Sequence, residues 1–173
     1  MTVLRQGSEG QAGEDTGLKL DAYLPYRLSV ASNAVSGLIA RAYEDRFGLT
    51  VPQWRLICVL AEDGGLTQVQ IVARTVMDKV TVSRAAQGLA KRRLVTRSQN
   101  KADARSHVLA LTPEGRGLYA EIAPLALAYE AALIAGLAPE EVTLLKRLLG
   151  RLQSAAGQLA GEAPSSPSLR QVR

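Results

Sequence analysis

The chain is 173 residues long, 47% hydrophobic and 21% charged with a net charge of +5, a mix that fits one domain, or two small ones sharing a core, and excludes a wholly disordered polymer. Its single His and single Cys exclude a four-ligand His/Cys zinc site and any intrachain disulfide, and neither metal nor cofactor is expected. No run reaches the ~18–20 uninterrupted apolar residues of a membrane span, and residues 1–20 lack the apolar heart of a signal peptide, so a soluble, cytoplasmic protein is the expectation.

Residues 1–20 carry four Gly and no period, and are expected to form a disordered arm. A first helix is predicted from about Asp21 to Phe47. Leu28, Ala31, Val35, Leu38 and Ala42 recur at helical spacing and set its inward line, while Val30, Ala34, Ile39 and Tyr43 widen the apolar face toward a second neighbour. Pro25 fits only the first turn, and Gly48 suits the left-handed residue that ends a helix. Two short helices follow, at about 51–62 and 68–75. Thr50-Val51-Pro52-Gln53 and Thr67-Gln68-Val69-Gln70 read as capping boxes, with Leu49/Trp54 and Leu66/Ile71 as hydrophobic staples.

Asp78 is the expected N-cap of a fourth helix that runs to about Arg92. Val82, Ala86 and Leu89 face inward; Arg84, Gln87 and Lys91 face outward, flanked by Thr81 and Ser83. A short helix, a tight turn and a basic helix in succession make a helix-turn-helix. The period then changes. Residues 94–98 and 107–111 are β-like runs around a polar tip, predicting a two-stranded ribbon. Thr112 and Pro113 open a fifth helix that runs to about 135, with a bend expected at Pro124. A sixth starts at Pro139 and carries Val142, Leu145, Leu148, Leu149, Leu152 and Leu159; residues 161–173 are expected to be a disordered tail. The fold class is therefore mainly α with a small β-ribbon, about six helices in all.

The charge is not spread evenly. Residues 67–112 hold nine bases and two acids, net +7, whereas residues 1–66 are net −2 and residues 113–173 are neutral. The excess falls on the helix-turn-helix and its ribbon, which is the electrostatic footprint of a winged helix built for double-stranded DNA. Arg84 suits guanine and Gln87 adenine in a major groove, with Thr81 and Ser83 beside them. Lys79, in the first turn, is placed for phosphate. Thr67 and Gln68, at a helix N-terminus, are expected to offer backbone amides to phosphate. Arg97 and Lys101 on the ribbon join these contacts. Arg105 at the tip suits a minor groove, with Asp103 expected to brace it.

In this order, the motifs resemble those of the MarR family, small bacterial winged-helix transcription factors, over about residues 21–155. Leu24-Pro25-Tyr26-Arg27-Leu28-Ser29-Val30, Arg46-Phe47-Gly48-Leu49-Thr50 and Gln53-Trp54 resemble its first two helices. Asp78-Lys79-Val80-Thr81-Val82-Ser83-Arg84 resembles its recognition helix, and Asp103-Ala104-Arg105 with Leu111-Thr112-Pro113-Glu114-Gly115 its wing and fifth helix. The resemblance implies a DNA-binding part at about 50–112 and dimerisation helices at about 21–48 and 113–160. It further implies a homodimer on a palindromic operator, repression as the commoner mode, and release by a small phenolic or carboxylic ligand. Tyr26, Arg27, Trp54 and Arg55 are the ligand candidates, because aromatic faces and Arg suit an aromatic acid, although Trp54 also reads as a core staple. Arg93 stands where the family often has Gly, which predicts a different ending for the recognition helix.

Other functions are weighed against this. Cys58 lies among Ile57, Val59 and Leu60, and an apolar setting raises a thiol pKa, so it reads as structural; a redox-responsive regulator acting through Cys58 is the alternative. His107, the one imidazole, falls on a ribbon strand, and no phosphate loop, Ser elbow or paired-carboxylate signature accompanies it, so no enzyme is expected. A helical adaptor that binds only protein is a third class, distinguished by a flat response to salt.

Overall fold

The computed structural model describes residues 17–100, 103 and 105–161. The arm expected over 1–20 is described only from 17, the tail over 161–173 only at 161, and Lys101 lies outside the described residues. Among the described residues, the helices are α1 (Leu24–Phe47), α2 (Val51–Asp63), α3 (Gln68–Thr75), α4 (Lys79–Lys91), α5 (Pro113–Ile134) and α6 (Pro139–Gly161). The strands are β1 (Leu66–Thr67), β2 (Val95–Gln99) and β3 (His107–Leu111). This is a mainly helical, winged helix-turn-helix fold.

Local chemistry sets most boundaries. The Thr50 hydroxyl accepts from the Gln53 amide at 3.4 Å, and the Gln53 side chain accepts from the Thr50 amide at 3.0 Å, closing the capping box that starts α2. Asp78 caps α4 by accepting from the Thr81 amide at 2.9 Å. The start of α1 at Leu24 is later than the predicted Asp21, because Pro25 belongs in a first turn. Gly48 ends that helix in the left-handed region at φ 60°.

The ribbon is larger than predicted. The three antiparallel strands run in the order β1-β3-β2, with Leu66 opposite Leu109, Val95 opposite Leu111 and Gln99 opposite His107. Two residues are too short to show an alternating period, and Thr67 already carries a helix-cap signal, so β1 is hidden in the sequence.

The core lies between α2, α3, α4 and the sheet. Leu56, Ile57, Ile71, Val82 and Leu89 are fully buried there. Tyr43 and Ile122 enter it from α1 and α5. Trp54 ties the layers together, with its ring 5.1 Å from Tyr43 and stacked at 5.9 Å on Tyr119.

In α1 only the C-terminal members of both predicted apolar sets are covered: Ala42 of the first packs on the core as Ile39 and Tyr43 of the second do, while Val30 and Ala34 are exposed. Ala31, Val35 and Leu38 of the supposed inward line are exposed as well. Periodicity identifies an apolar stripe, not what covers it. In α6, Leu145, Leu148, Leu149 and Leu152 are likewise exposed, and with Leu24 and Leu28 they line an open groove of about 950 Å³. By length and composition alone α5 could cross a bilayer, yet it carries Glu121 and Glu130 and buries Ile122 in the core.

The end of α4 also departs from expectation. Arg93 adopts the left-handed conformation itself, at φ 58°. The Leu94 amide reaches the Leu89 carbonyl and the Arg93 amide the Ala90 carbonyl, both at 3.0 Å, which is the bond pair a Gly would make there. Leu94 must turn straight into the core, where it is buried. The Thr112 hydroxyl and amide then donate to the carbonyls of Arg93 (2.8 Å) and Leu94 (3.1 Å). α5 approaches so closely that a Cβ on Gly115 would sit 2.1 Å from the Leu94 carbonyl oxygen.

Candidate nucleic-acid interface

α4 is the centre of the basic surface. Its buried side is Val82, Ala85, Ala86 and Leu89, which leaves Arg84 and Gln87 exposed on the other side. Ser83 is half-buried, and its hydroxyl accepts from the Gln87 side-chain amide at 3.4 Å, so the two act together. Thr81 donates its hydroxyl to Asp78, which leaves only its lone pairs and methyl for a partner. That hydroxyl, followed by the Thr81 amide, holds the Asp78 carboxyl below the usual carboxylate range.

Two recesses flank this helix. Gln68, Val69, Val72, Lys79, Arg97, Arg105, Ser106 and His107 line one of about 310 Å³, where α3, α4 and the strand pair converge. Thr50, Pro52, Gln53, Thr81, Arg84 and Ala85 line the other, of about 320 Å³. Four of the predicted contacts, Gln68, Lys79, Arg97 and Arg105, therefore meet at one recess, three of them cationic.

Several predicted roles change in detail. The Thr67 amide donates to Gln70 Oε1 at 2.8 Å and its hydroxyl caps the Gln70 amide, so this amide is already occupied. The first-turn amides left without an intrahelical partner are those of Gln68 and Val69. Asp103 does not brace the Arg105 guanidinium; its carboxylate accepts from the Arg105 backbone amide at 3.0 Å, a local turn that shapes the tip. Arg97 Nη2 lies 3.0 Å from His107 Nδ1, a contact that ties the two strands of the ribbon together. Lys101 lies outside the described residues.

The cations divide by use. Arg74 is tied to Asp63 at 2.8 Å and Glu62 at 3.5 Å. Arg92 donates to the carbonyls of Gly48 and Phe47 at 2.8 and 2.9 Å, a structural use that sequence spacing could not reveal across more than forty residues. Among the described residues, Lys79, Arg84, Lys91 and Arg105 form no ion pair with an acid, and their charge faces outward.

The four ligand candidates are split. Trp54 is buried between Tyr43 and Tyr119, and its remaining edge shares a shallow recess of about 260 Å³ with Arg55, Cys58, Val59, Arg74 and Thr75. Tyr26 and Arg27, exposed at the start of α1, do not line it. Burial, with Glu62 adding to it, pushes the Cys58 thiol up to about 12, so at neutral pH it holds its proton.

Comparison with known proteins agrees with this geometry. The model of the MarR family matches residues 47–106, from the end of α1 to the tip beyond β2. The transcriptional regulator HosA of Escherichia coli O111:H- is 28% identical over 107 residues, 62% of this chain and 79% of its own. A MarR family transcriptional regulator from Silicibacter pomeroyi is 30% identical with a TM-score of 0.70, over 85% of this chain and 95% of that one. Bordetella bronchiseptica BpsR, a structure concerned with regulation of DNA binding by 6-hydroxynicotinic acid, is 29% identical with a TM-score of 0.69, over 75% of this chain and 97% of its own.

Proposed function

The chain belongs to the MarR family, whose members are non-enzymatic, DNA-binding transcriptional regulators, and on that premise we propose that it is a homodimeric repressor of a two-fold symmetric operator, acting in the cytoplasm. The observation that carries the DNA contact is the meeting of Gln68, Lys79, Arg97 and Arg105 at one recess beside the exposed face of α4. In this reading α4 lies in the major groove, Arg84 and Gln87 address base edges, Lys79 and Arg97 take phosphates, and Arg105 enters the minor groove. Homodimerisation is supported by the exposed leucines of α6 and the apolar stripe of α1, which a second copy would cover.

Release by a small aromatic or carboxylic ligand is supported by what is reported of BpsR and by the recess that joins the Trp54 edge to Arg55, whose guanidinium, unlike that of Arg74, pairs with no acid among the described residues. A redox regulator is not favoured, because the Cys58 thiol holds its proton.

Fluorescence anisotropy on DNA selected from a random pool tests the core of this proposal. Affinity should fall ~10³–10⁵-fold between about 50 and 200 mM salt for a dimer touching ~6–10 phosphates. A flat salt response would support a protein-binding adaptor instead. Light scattering should give twice the chain mass. If 6-hydroxynicotinic acid and benzoate change neither the melting temperature nor DNA affinity, release by an aromatic acid is wrong.

A further inference from the structure

Arg92 lies just beyond the last residue of α4, inside the basic segment, and composition alone would count it as a DNA contact. The structure gives it other partners. Its Nη1 donates to the Gly48 carbonyl at 2.8 Å and its Nη2 to the Phe47 carbonyl at 2.9 Å. Those carbonyls are orphan acceptors at the C-terminus of α1, the negative end of its dipole. A guanidinium spans two such oxygens because its donors form a rigid fork. The contact joins elements 44 and 45 residues apart in sequence. The same end of α4 is held from the other side, where Thr112 at the start of α5 takes the carbonyls of Arg93 and Leu94.

We propose that Arg92 is a positioning residue that hangs α4 from the C-terminus of α1, so that the angle and separation of the two DNA-facing helices in a dimer follow the dimer scaffold. The inference rests on the reading of the protein as a two-fold DNA binder. α4 is about 20 Å long at 1.5 Å per residue, so a rotation at its anchored end moves Arg84, near the middle of the helix, and to a lesser degree Gln87, closer to the anchor, relative to their counterparts in the second copy. The operator property that Arg92 governs is therefore the spacing between half-sites, rather than the bases within one half-site.

The experiment uses the full chain and duplexes selected by the wild-type protein from a random pool. Half-sites are then moved apart or together by one and two base pairs. If the wild type enriches no sequence, the DNA reading falls and this inference with it. If it does, Arg92→Ala should bind the selected duplex about tenfold more weakly, the size of one charge-assisted hydrogen bond. Its penalty for altered spacing should shrink several-fold, and its salt slope should stay at the wild-type value. Arg92→Lys keeps the charge but cannot fork across two carbonyls, so it should relax spacing in the same way; it carries the test should Arg92→Ala fail to fold. Wild-type spacing discrimination in both variants would overturn the proposal. So would a salt slope lower by about one unit in Arg92→Ala, because that is the loss of a phosphate contact.

Discussion

The winged helix and the three long helices around it reach opposite balances of burial and charge. Among the described residues, sixteen of the eighteen buried apolar side chains lie between Leu49 and Leu111, in the part that also holds the +7 segment. The long helices α1 and α5 contribute Tyr43 and Ile122, and α6 contributes none. One region closes its core within the chain and turns its charge outward. The other is close to neutral and leaves leucines of α6 uncovered along an open groove. The joints between them include Tyr43 and Ile122 in the core, the Trp54 stack, Arg92 on the end of α1, Thr112 on the end of α4 and Arg116 on the Leu111 carbonyl. A molecule divided this way can keep its DNA-facing surface intact while its placement is set from outside.

The sharpest test of the division sets a core leucine against a groove leucine. Leu89 is fully buried between α4 and its neighbours, so Leu89→Ala should cost about 2–5 kcal/mol. Thermal unfolding should show that loss at every protein concentration. Leu148 lines the groove between α1 and α6 and is 41% exposed, so Leu148→Glu should leave the winged-helix core untouched. It should instead weaken dimerisation by about 2 kcal/mol or more, because a carboxylate would be buried against the second copy. Light scattering over a dilution series reads this directly. A concentration-independent melting temperature shared by wild type and Leu148→Glu would remove the case for a dimer on this face.

Within the charged region the comparison narrows to two side chains. Arg84 is exposed on the outward face of α4 and should address a base, so Arg84→Ala should cost about 1–3 kcal/mol on the selected duplex and much less on random DNA. Lys79 lines the recess with Arg97 and Arg105, so Lys79→Ala should weaken both DNAs alike and lower the salt slope by about one unit. Anisotropy on both duplexes at several salt concentrations separates the two. Equal losses on both duplexes from both variants would mean that base and phosphate contacts are sorted wrongly.

Local signals in the chain were legible because their causes are local. Thr50 with Gln53, Thr67 with Gln70, and Asp78 with Thr81 each form a bond three residues apart, and each starts a helix where the sequence predicts one. The inward side of α4 was legible too, because its neighbours come from the same chain. What stayed hidden depends on distant partners. The stripe of Ala31, Val35 and Leu38 has a helical period, but nothing in a period says that this chain leaves it bare. Arg92 and Arg97 look alike in the sequence, yet one caps α1 and the other meets His107. Strand β1 was missed because two residues carry no alternation and their side chains already announced a cap.

The smallest predicted effect returns to how helices end in the two regions. α1 ends on Gly48 at φ 60°, where a left-handed backbone costs Gly nothing. The two helices of the helix-turn-helix end on Val76 at φ 53° and Arg93 at φ 58°, where a Cβ crowds the carbonyl at a cost of ~1–2 kcal/mol per residue. Gly48→Ala should therefore destabilise the protein by about 1 kcal/mol through strain, since a Cβ there meets nothing nearer than Arg92 Nη1 at 3.9 Å. Val76→Asn should stabilise it by up to about 1 kcal/mol, because Asn tolerates the left-handed region without the extra unfolded-state freedom of Gly. Val76 is 74% exposed, so little burial is lost in the exchange. Urea unfolding of both variants reads the two signs. If Val76→Asn does not stabilise, the turn between α3 and α4 is not strained, and the two regions would differ in what covers them but not in how their helices are closed.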